Sequence, residues 1–172
     1  GGVGKRAGTR RLHQTALASG SKVTGLFQWD TGSGNQLVAF AGGKLYYRSA
    51  ADDYGAFTEV VPGVGDEFDA IGPQAVASFR AATAGAPLVL YIADGMYYTW
   101  DGSTLARIDG VTGAPNCDLI AAYHTRMFAR DVDLQKHSFW SKVGNAANFA
   151  TGGAADGGSA MVDVLKGDVL KA

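Results

Sequence analysis

The chain has 172 residues, of which 47% are apolar and 18% are charged, and its 15 basic and 16 acidic residues nearly cancel. This length and composition predict one globular domain with a substantial core and exclude a disordered chain. The balanced charge excludes a general attraction to nucleic acid or acidic lipid. The single cysteine, Cys117, excludes an internal disulfide and a multi-cysteine zinc site. No run approaches the about 20 apolar residues that cross a bilayer.

Twelve short stretches rich in aromatic and β-branched residues follow one another along the chain and predict β-strands. They lie near 23–29, 36–41, 44–48, 57–61, 75–80, 87–93, 96–100, 104–108, 118–124, 126–130, 137–141 and 160–165. Pairs such as Gly42-Gly43 and Asp94-Gly95 suit tight hairpins, because these residues tolerate a positive φ. Leu12 to Ala18 is the one candidate helical turn and is very short. The sequence predicts an all-β fold.

A repeat organises these strands. LVAFAGGKLYYR at 37–48 aligns without a gap to LVLYIADGMYYT at 88–99, and another strand precedes and follows each copy. A third unit begins at LIAAYH. Four strands in about 45–50 residues are typical of β-propeller blades, and closed propellers have about four to eight of them. We therefore expect three antiparallel propeller-like blades, part of a larger propeller; a β-sandwich of about eleven strands is the alternative.

The predicted organisation is a basic N-terminal arm over 1–22 and a propeller portion over 23–172, with units near 23–61, 75–108 and 118–165. The chain begins without Met and contains 25 glycines, so we expect a segment of a longer protein. The arm concentrates positive charge in Lys5, Arg6, Arg10 and Arg11. These four residues are candidates for contact with nucleic acid phosphates or an acidic partner. The alternative is a solvated arm without a partner.

The stretch Asp30-Thr31-Gly32 matches the active-site sequence of aspartic proteases. That chemistry needs two carboxylates that share one proton. No second Asp-Thr-Gly or Asp-Ser-Gly occurs in the chain, so a symmetric dimer would be required. All residues from 30 to 35 are turn formers between two predicted strands. We interpret Asp30 as the start of a turn and keep the protease as an alternative hypothesis.

Other candidate sites are incomplete. The opening GGVGKRAGT lacks the hydroxyl residue and the preceding strand of a phosphate loop. His13, His124 and His137 show no metal-ligand spacing, and Cys117 has no neighbouring base, which predicts a buried structural thiol. The pair Asp131 and Asp133 lacks the glycine and ligand count of a calcium loop. Aromatic residues of the repeat could line a sugar site: Tyr46, Tyr47, Tyr97, Tyr98 and Trp100. No catalytic residue, cofactor or metal is predicted.

Several phrases, in order, resemble the propeller-bearing tail proteins of short-tailed bacteriophages, which include tail nozzle or tail tubular proteins and packaged-DNA stabilisation proteins. The N-terminal phrase is GGVGKRAGTRRL, where Ala7 replaces a common proline, and the strand VTGLFQW and the hairpin QLVAFAGGKLYY follow it. The later phrases are YTWDGSTL at 98–105, Ala114-Pro115 with LIAAYHTRMFA at 119–129, and SFWSKVGNAANF at 138–149.

This resemblance implies a non-enzymatic virion protein without cofactors. It implies a β-propeller component of the tail, a nozzle, hub or adaptor that lines the DNA-ejection conduit or carries other tail proteins. The expected partners are copies of the chain in a ring, neighbouring tail proteins and, transiently, viral DNA. The expected location is the virion tail, after synthesis in the host bacterial cytoplasm. A carbohydrate- or receptor-binding propeller of the tail is the alternative function.

Overall fold

The computed structural model describes residues 16–32, 34–49, 55–134, 137–152 and 156–161. These residues form twelve β-strands and two short 3-10 turns, at Leu17–Gly20 and Val111–Gly113. The strands are β1 Val23–Asp30, β2 Asn35–Ala41, β3 Lys44–Ser49, β4 Thr58–Val60, β5 Ala75–Arg80, β6 Leu88–Ala93, β7 Tyr97–Trp100, β8 Leu105–Arg107, β9 Cys117–Tyr123, β10 Arg126–Asp131, β11 His137–Trp140 and β12 Gly158–Met161. The predicted all-β class is confirmed. None of the described residues forms a helix that is long and apolar enough to span a bilayer.

The strands form three antiparallel sheets, each made of four strands that are consecutive in the chain. Sheet 1 contains β1–β4, sheet 2 contains β5–β8 and sheet 3 contains β9–β12. The predicted four-stranded units are confirmed, and the described residues form three sheets rather than the two of a sandwich. These residues do not close into a barrel or a ring, so the propeller stays a prediction. The short outer strands β4 and β8 leave little free edge for unwanted pairing.

Sheet 2 lies between sheets 1 and 3. Alternate residues of its strands point to opposite sides, so one set packs against sheet 1 and the other against sheet 3. Ile92 and Trp100 belong to a core shared with sheet 1, and the Trp100 ring lies 5.0 Å from the ring of Tyr47 in β3. Ala93 and Tyr97 belong to a second core, shared with sheet 3. We call the side of a sheet that faces the preceding sheet its rear face and the opposite side its front face. The rear face of sheet 1 is the side that points away from sheet 2.

Aromatic residues from the connecting segments complete both cores. Phe68, between β4 and β5, has ring centroids 5.0 Å from Phe40 and 4.7 Å from Tyr98, so it joins sheet 1 to sheet 2. Phe149, between β11 and β12, packs edge-on at 6.0 Å against Tyr97. The Tyr97 hydroxyl donates to the carbonyl of Ala146 at 3.0 Å in the same segment. The connections therefore fill space that the strands leave.

One turn changes the register of the repeat. The β2–β3 turn holds two residues, Gly42 and Gly43, both with positive φ, whereas three residues, 94–96, connect β6 to β7. Consequently Tyr46 lies on the rear face of sheet 1, while Tyr97, its partner in the gap-free alignment, lies on the front face of sheet 2. The structural counterpart of Tyr46 is Tyr98, one residue later.

Candidate functional site: the front face of sheet 3

The front face of sheet 3 is an apolar sheet surface that no other described sheet covers. The register of β9, β10 and β11 places Ala121, Phe128 and Trp140 directly opposite one another in one row. Leu119 and its neighbours Arg130 and Ser138 form the next row. Residues opposite each other in antiparallel strands share one face. The Trp140 ring lies over Gly158 of β12. A Cβ atom at that position would come within 2.5 Å of the indole ring.

Burial differs sharply between the two faces of the same strands. On the rear face Met127 is fully buried and Ile120 is 6% exposed, because both pack into the core shared with sheet 2. On the front face Leu119 is 52% exposed. A shallow, mainly apolar cavity of about 130 Å³ lies between Leu119, Ala121 and Phe128. A cavity of this size accommodates one side chain of a partner rather than a substrate or cofactor.

The front face carries an ion pair near its first strand. Arg130 donates to Asp118 through Nε at 2.9 Å and through Nη2 at 2.6 Å, a two-point contact between a guanidinium and a carboxylate. The hydrogen bond from Arg130 lowers the pKa of Asp118, and the same contact raises the pKa of Arg130. Both side chains are partly exposed. The face is therefore mainly apolar, with this ion pair and the Arg126 guanidinium, which donates to the backbone carbonyls of Ser141 and Asp156.

The rear face of sheet 1 is a second incompletely covered surface. Glu59 in β4 accepts from Lys44 Nζ at 2.6 Å and from the Tyr46 hydroxyl at 2.9 Å, so both of its carboxylate oxygens are engaged. The hydrogen bond from Lys44 is the main reason that the pKa of Glu59 lies below its usual range. A cavity of about 410 Å³ is lined by these side chains together with residues of the segment 16–21. The ion pair makes Glu59 a poor proton acceptor.

Asp30 stabilises a turn, as predicted. Its Oδ1 accepts the backbone N–H of Gly32 at 2.7 Å, and Thr31 bonds to the Gly34 carbonyl through both its backbone N–H at 2.8 Å and its hydroxyl at 2.9 Å. Asp30 pairs with Asn35 at the end of the β1–β2 hairpin. Its carboxylate is exposed and stabilises the loop. These contacts provide the local order that a hairpin needs and involve no second carboxylate.

The other acidic and histidine candidates are also held in local structure. Asp131 Oδ1 accepts from the backbone of Asp133 at 2.8 Å and of Leu134 at 2.9 Å, which makes this pair a turn. The His124 ring packs edge-on against Tyr123 at 4.2 Å, and His137 lies 6.3 Å from another aromatic ring. No group of three or more His, Cys, Asp or Glu among the described residues could hold a metal ion.

Four of the five aromatic residues suggested as a sugar site lie inside the protein, and the fifth, Tyr47, is half-buried against the ring of Trp100. Tyr97 and Trp100 are fully buried, Tyr98 is 1% exposed and Tyr46 is 4% exposed, so these four rings cannot stack on an external sugar. Cys117 is buried as predicted. Burial, reinforced by the negative charge of Asp118, raises the pKa of the Cys117 thiol well above its usual range. The thiol is therefore a structural group.

The basic cluster falls outside the described residues. Lys5, Arg6, Arg10 and Arg11 all precede residue 16, as do the stretch similar to a phosphate loop and His13. Their contacts with nucleic acid or an acidic partner stay predictions. Sequence reasoning missed the front face of sheet 3, although β9 and β10 carry apolar residues on both of their faces. The missing information was which side of the sheet another sheet covers.

The chain was compared with protein families, with curated proteins and with solved structures, and it matches none of them. Its function is therefore inferred from the geometry of the three sheets and from the phrases that resemble phage tail proteins.

Proposed function

We propose that this chain is a structural protein of a bacteriophage virion, a propeller-like component of the tail that forms part of a nozzle, hub or adaptor. Its role is architectural and not enzymatic. It lines or surrounds the DNA-ejection conduit, or it carries other tail proteins, as part of a ring of copies. It acts in the virion tail after synthesis in the host bacterial cytoplasm.

The observation that supports this proposal best is the enclosure of sheet 2 by sheets 1 and 3. A series of four-stranded meanders, each packed on the next, is the arrangement from which propellers are built. In such an array each unit covers one apolar face of its neighbour, and the loops remain available for contacts. The result is a rigid block that suits a wall or a connector.

The candidate chemical groups also favour an architectural role. Asp30 and Asp131 each accept backbone N–H groups in their own turns, and Glu59 is bound by Lys44 and Tyr46. An active site needs a poised nucleophile, acid or base in a cleft. These three carboxylates are instead engaged by their own neighbours. The near-neutral charge of the chain would let DNA pass without strong phosphate contacts.

The test is whether the chain is present in assembled particles. Antibodies raised against the 172-residue chain would be used for immunogold labelling of purified tailed phage whose genome encodes it. An antibody against the capsid protein of the same phage serves as the positional control. We expect label at the tail only. Particles without label, together with the free chain in infected-cell extract, would contradict the proposal.

A further inference from the structure

The three rear faces repeat one pattern of side chains across their four strands. An aliphatic residue on each of the first two strands is followed by an aromatic residue on the third and a polar residue on the fourth. The rows are Leu26-Ala39-Tyr46-Glu59 in sheet 1, Val76-Ile92-Tyr98-Arg107 in sheet 2 and Ile120-Ala129-Phe139-Ser159 in sheet 3. The pattern becomes visible only with the observed registers, because the turn between β6 and β7 is one residue longer than that between β2 and β3.

In sheets 2 and 3 this row packs on the preceding sheet. Ile92 and Tyr98 lie in the core shared with sheet 1, and Ile120 lies in the core shared with sheet 2. The contact is always front face against rear face. The repeated row is thus the part of a unit that binds the unit before it.

Sheet 1 carries the same row, but no preceding sheet covers it among the described residues. Ala39 and Tyr46 are instead covered by Leu17, Ala18 and Phe57, and are 1% and 4% exposed. Leu26, at the start of the row, is 56% exposed. Among the described residues the β1 half of this rear face is therefore open, although Leu26 occupies the same place in its row as Ile120, which is buried in sheet 3.

The front face of sheet 3 is the complementary surface. Phe27, Val38 and Tyr47 on the front of sheet 1 pack against sheet 2, and the front of sheet 2 packs against sheet 3. The corresponding row on sheet 3 contains Phe128 and Trp140, which are only half-buried. The described part of one copy therefore has one uncovered front face and one incompletely covered rear face.

We propose that the front face of sheet 3 binds the rear face of sheet 1 in a second copy of this chain. This continues the front-to-rear contact already present twice within each copy. Each face carries an exposed ion pair, Asp118 with Arg130 and Lys44 with Glu59, and these two pairs bring no net charge to the contact. The inference rests on the proposed function, since it names the surfaces by which copies join. The two faces differ, so the contact is heterologous and produces a ring or a row of copies.

Three lysine substitutions test this contact. Ala121→Lys blocks the front face of sheet 3 and Leu26→Lys blocks the rear face of sheet 1. Val64→Lys is the matched control, because Val64 is fully exposed in the connection between β4 and β5. Sedimentation velocity over a concentration series measures the assembly of each chain. Circular dichroism and thermal melting check that each variant keeps its fold.

We expect the wild type and Val64→Lys to form larger species as concentration rises. Ala121→Lys and Leu26→Lys should each weaken association by about 100-fold, because a lysine would be buried in the contact. An equimolar mixture of these two variants should form a one-to-one dimer, because each retains one intact face. Gln28→Lys and Leu119→Gln are milder substitutions on the same faces and replace any variant that does not fold.

Three results would overturn the inference. They are a wild-type chain that stays monomeric at every concentration, a mixture that forms no dimer, and a Leu26→Lys variant that assembles like the wild type. The last would indicate contact between two front faces. A monomeric chain that is nevertheless found in phage tails would reject this contact and leave the proposed function standing. A chain that assembles but is absent from particles would do the reverse.

Discussion

Sheets 2 and 3 are both four-stranded meanders, but their surroundings differ. Sheet 2 is covered on both faces, and Ile92, Tyr97 and Trp100 in its middle strands are fully buried. Among the described residues sheet 3 is covered on its rear face alone, so Met127 is fully buried while Leu119 stays half exposed. The same strand pattern thus produces a core or a surface according to its neighbours. The apolar pattern of β9 and β10 indicates two neighbours, of which the described residues supply one.

Exposed single apolar residues are common on protein surfaces and need no explanation. The front face of sheet 3 differs because Leu119, Ala121, Phe128 and Trp140 form contiguous rows on one face. Contiguous apolar surface on a sheet indicates an interaction site. The comparison of sheets 2 and 3 therefore locates the surface at which the proposed assembly grows.

The largest expected effect comes from the same substitution on the two sheets. Trp100→Ala removes a fully buried ring that donates to Gln36 Oε1 at 3.1 Å, and should reduce the free energy of unfolding by about 3–5 kcal/mol. Trp140→Ala should cost only about 1–2 kcal/mol in the isolated chain, because that ring is half-buried. Urea unfolding of both variants measures the difference. Equal losses would contradict the distinction between the sheets.

A second test compares the two faces of sheet 3 by thiol reactivity. Cys117 is fully buried between sheets 2 and 3, and its raised pKa leaves little reactive thiolate at neutral pH. The native chain should therefore react with a thiol reagent only as fast as it unfolds. An added thiol in Ala121→Cys, on the front face, should react at once in dilute solution, as followed by mass spectrometry. Immediate modification of Cys117 would contradict the closed contact between sheets 2 and 3.

The third prediction concerns the pH dependence of stability at the turn that precedes β7. Asp94 accepts the backbone N–H of Asp69, and burial raises its pKa from 3.8 to about 6. The native state therefore binds this proton more tightly than the unfolded chain does. The resulting stabilisation is complete below about pH 4 and is lost as the pH rises through 6. Asp94→Asn should flatten this part of a melting-temperature profile.

Asp101, at the other end of β7, is the control for that profile. Burial alone would raise its pKa, but hydrogen bonds from Thr104 and Ser103 outweigh burial, and the pKa lies below its usual value. Asp101 therefore stabilises the native chain at neutral pH and ceases to do so as the pH falls through its native pKa. Asp101→Asn should lower the melting temperature at pH 7. It should leave unchanged the fall in melting temperature between pH 4 and 6 that is assigned to Asp94. A melting-temperature profile that Asp94→Asn does not change would contradict the assignment of this pH dependence to Asp94.

The smallest expected effect is at Asp30. An asparagine at this position keeps an oxygen that can accept the Gly32 N–H, so Asp30→Asn should change the free energy of unfolding by about 0.5 kcal/mol or less. Neither the wild type nor the variant should cleave a peptide library at acid pH. Cleavage by the wild type that disappears in Asp30→Asn would establish an aspartic protease and contradict an architectural role.

The sequence predicted the strands well because their signals are local. Aromatic and β-branched runs bounded by Gly42-Gly43 or Asp94-Gly95 identify strands without knowledge of the rest of the chain. The third residue of the β6–β7 turn was not predictable in this way, and it changes the face on which Tyr97 and Tyr98 lie. A shift of one residue moves a side chain to the other side of a sheet.

The candidate site was less predictable because it depends on distant contacts. Phe68 lies among acidic residues in a connection, yet it packs against β2 and β7. An isolated aromatic residue in a polar loop is the only sequence signal for such a role. The exposure of Leu119 depends on whether another sheet covers β9, which residues 117–123 alone cannot reveal. The turn at Asp30, in contrast, depends on neighbours within four residues and was predicted correctly.

Electron cryomicroscopy of purified phage particles that contain this chain tests the central claim most directly. We predict that the three sheets fan about a common axis in the tail, with another four-stranded sheet packed on Phe128 and Trp140. A tail density in which the chain folds as a two-sheet sandwich or a closed barrel, or in which that face of sheet 3 stays exposed to solvent, would contradict the account.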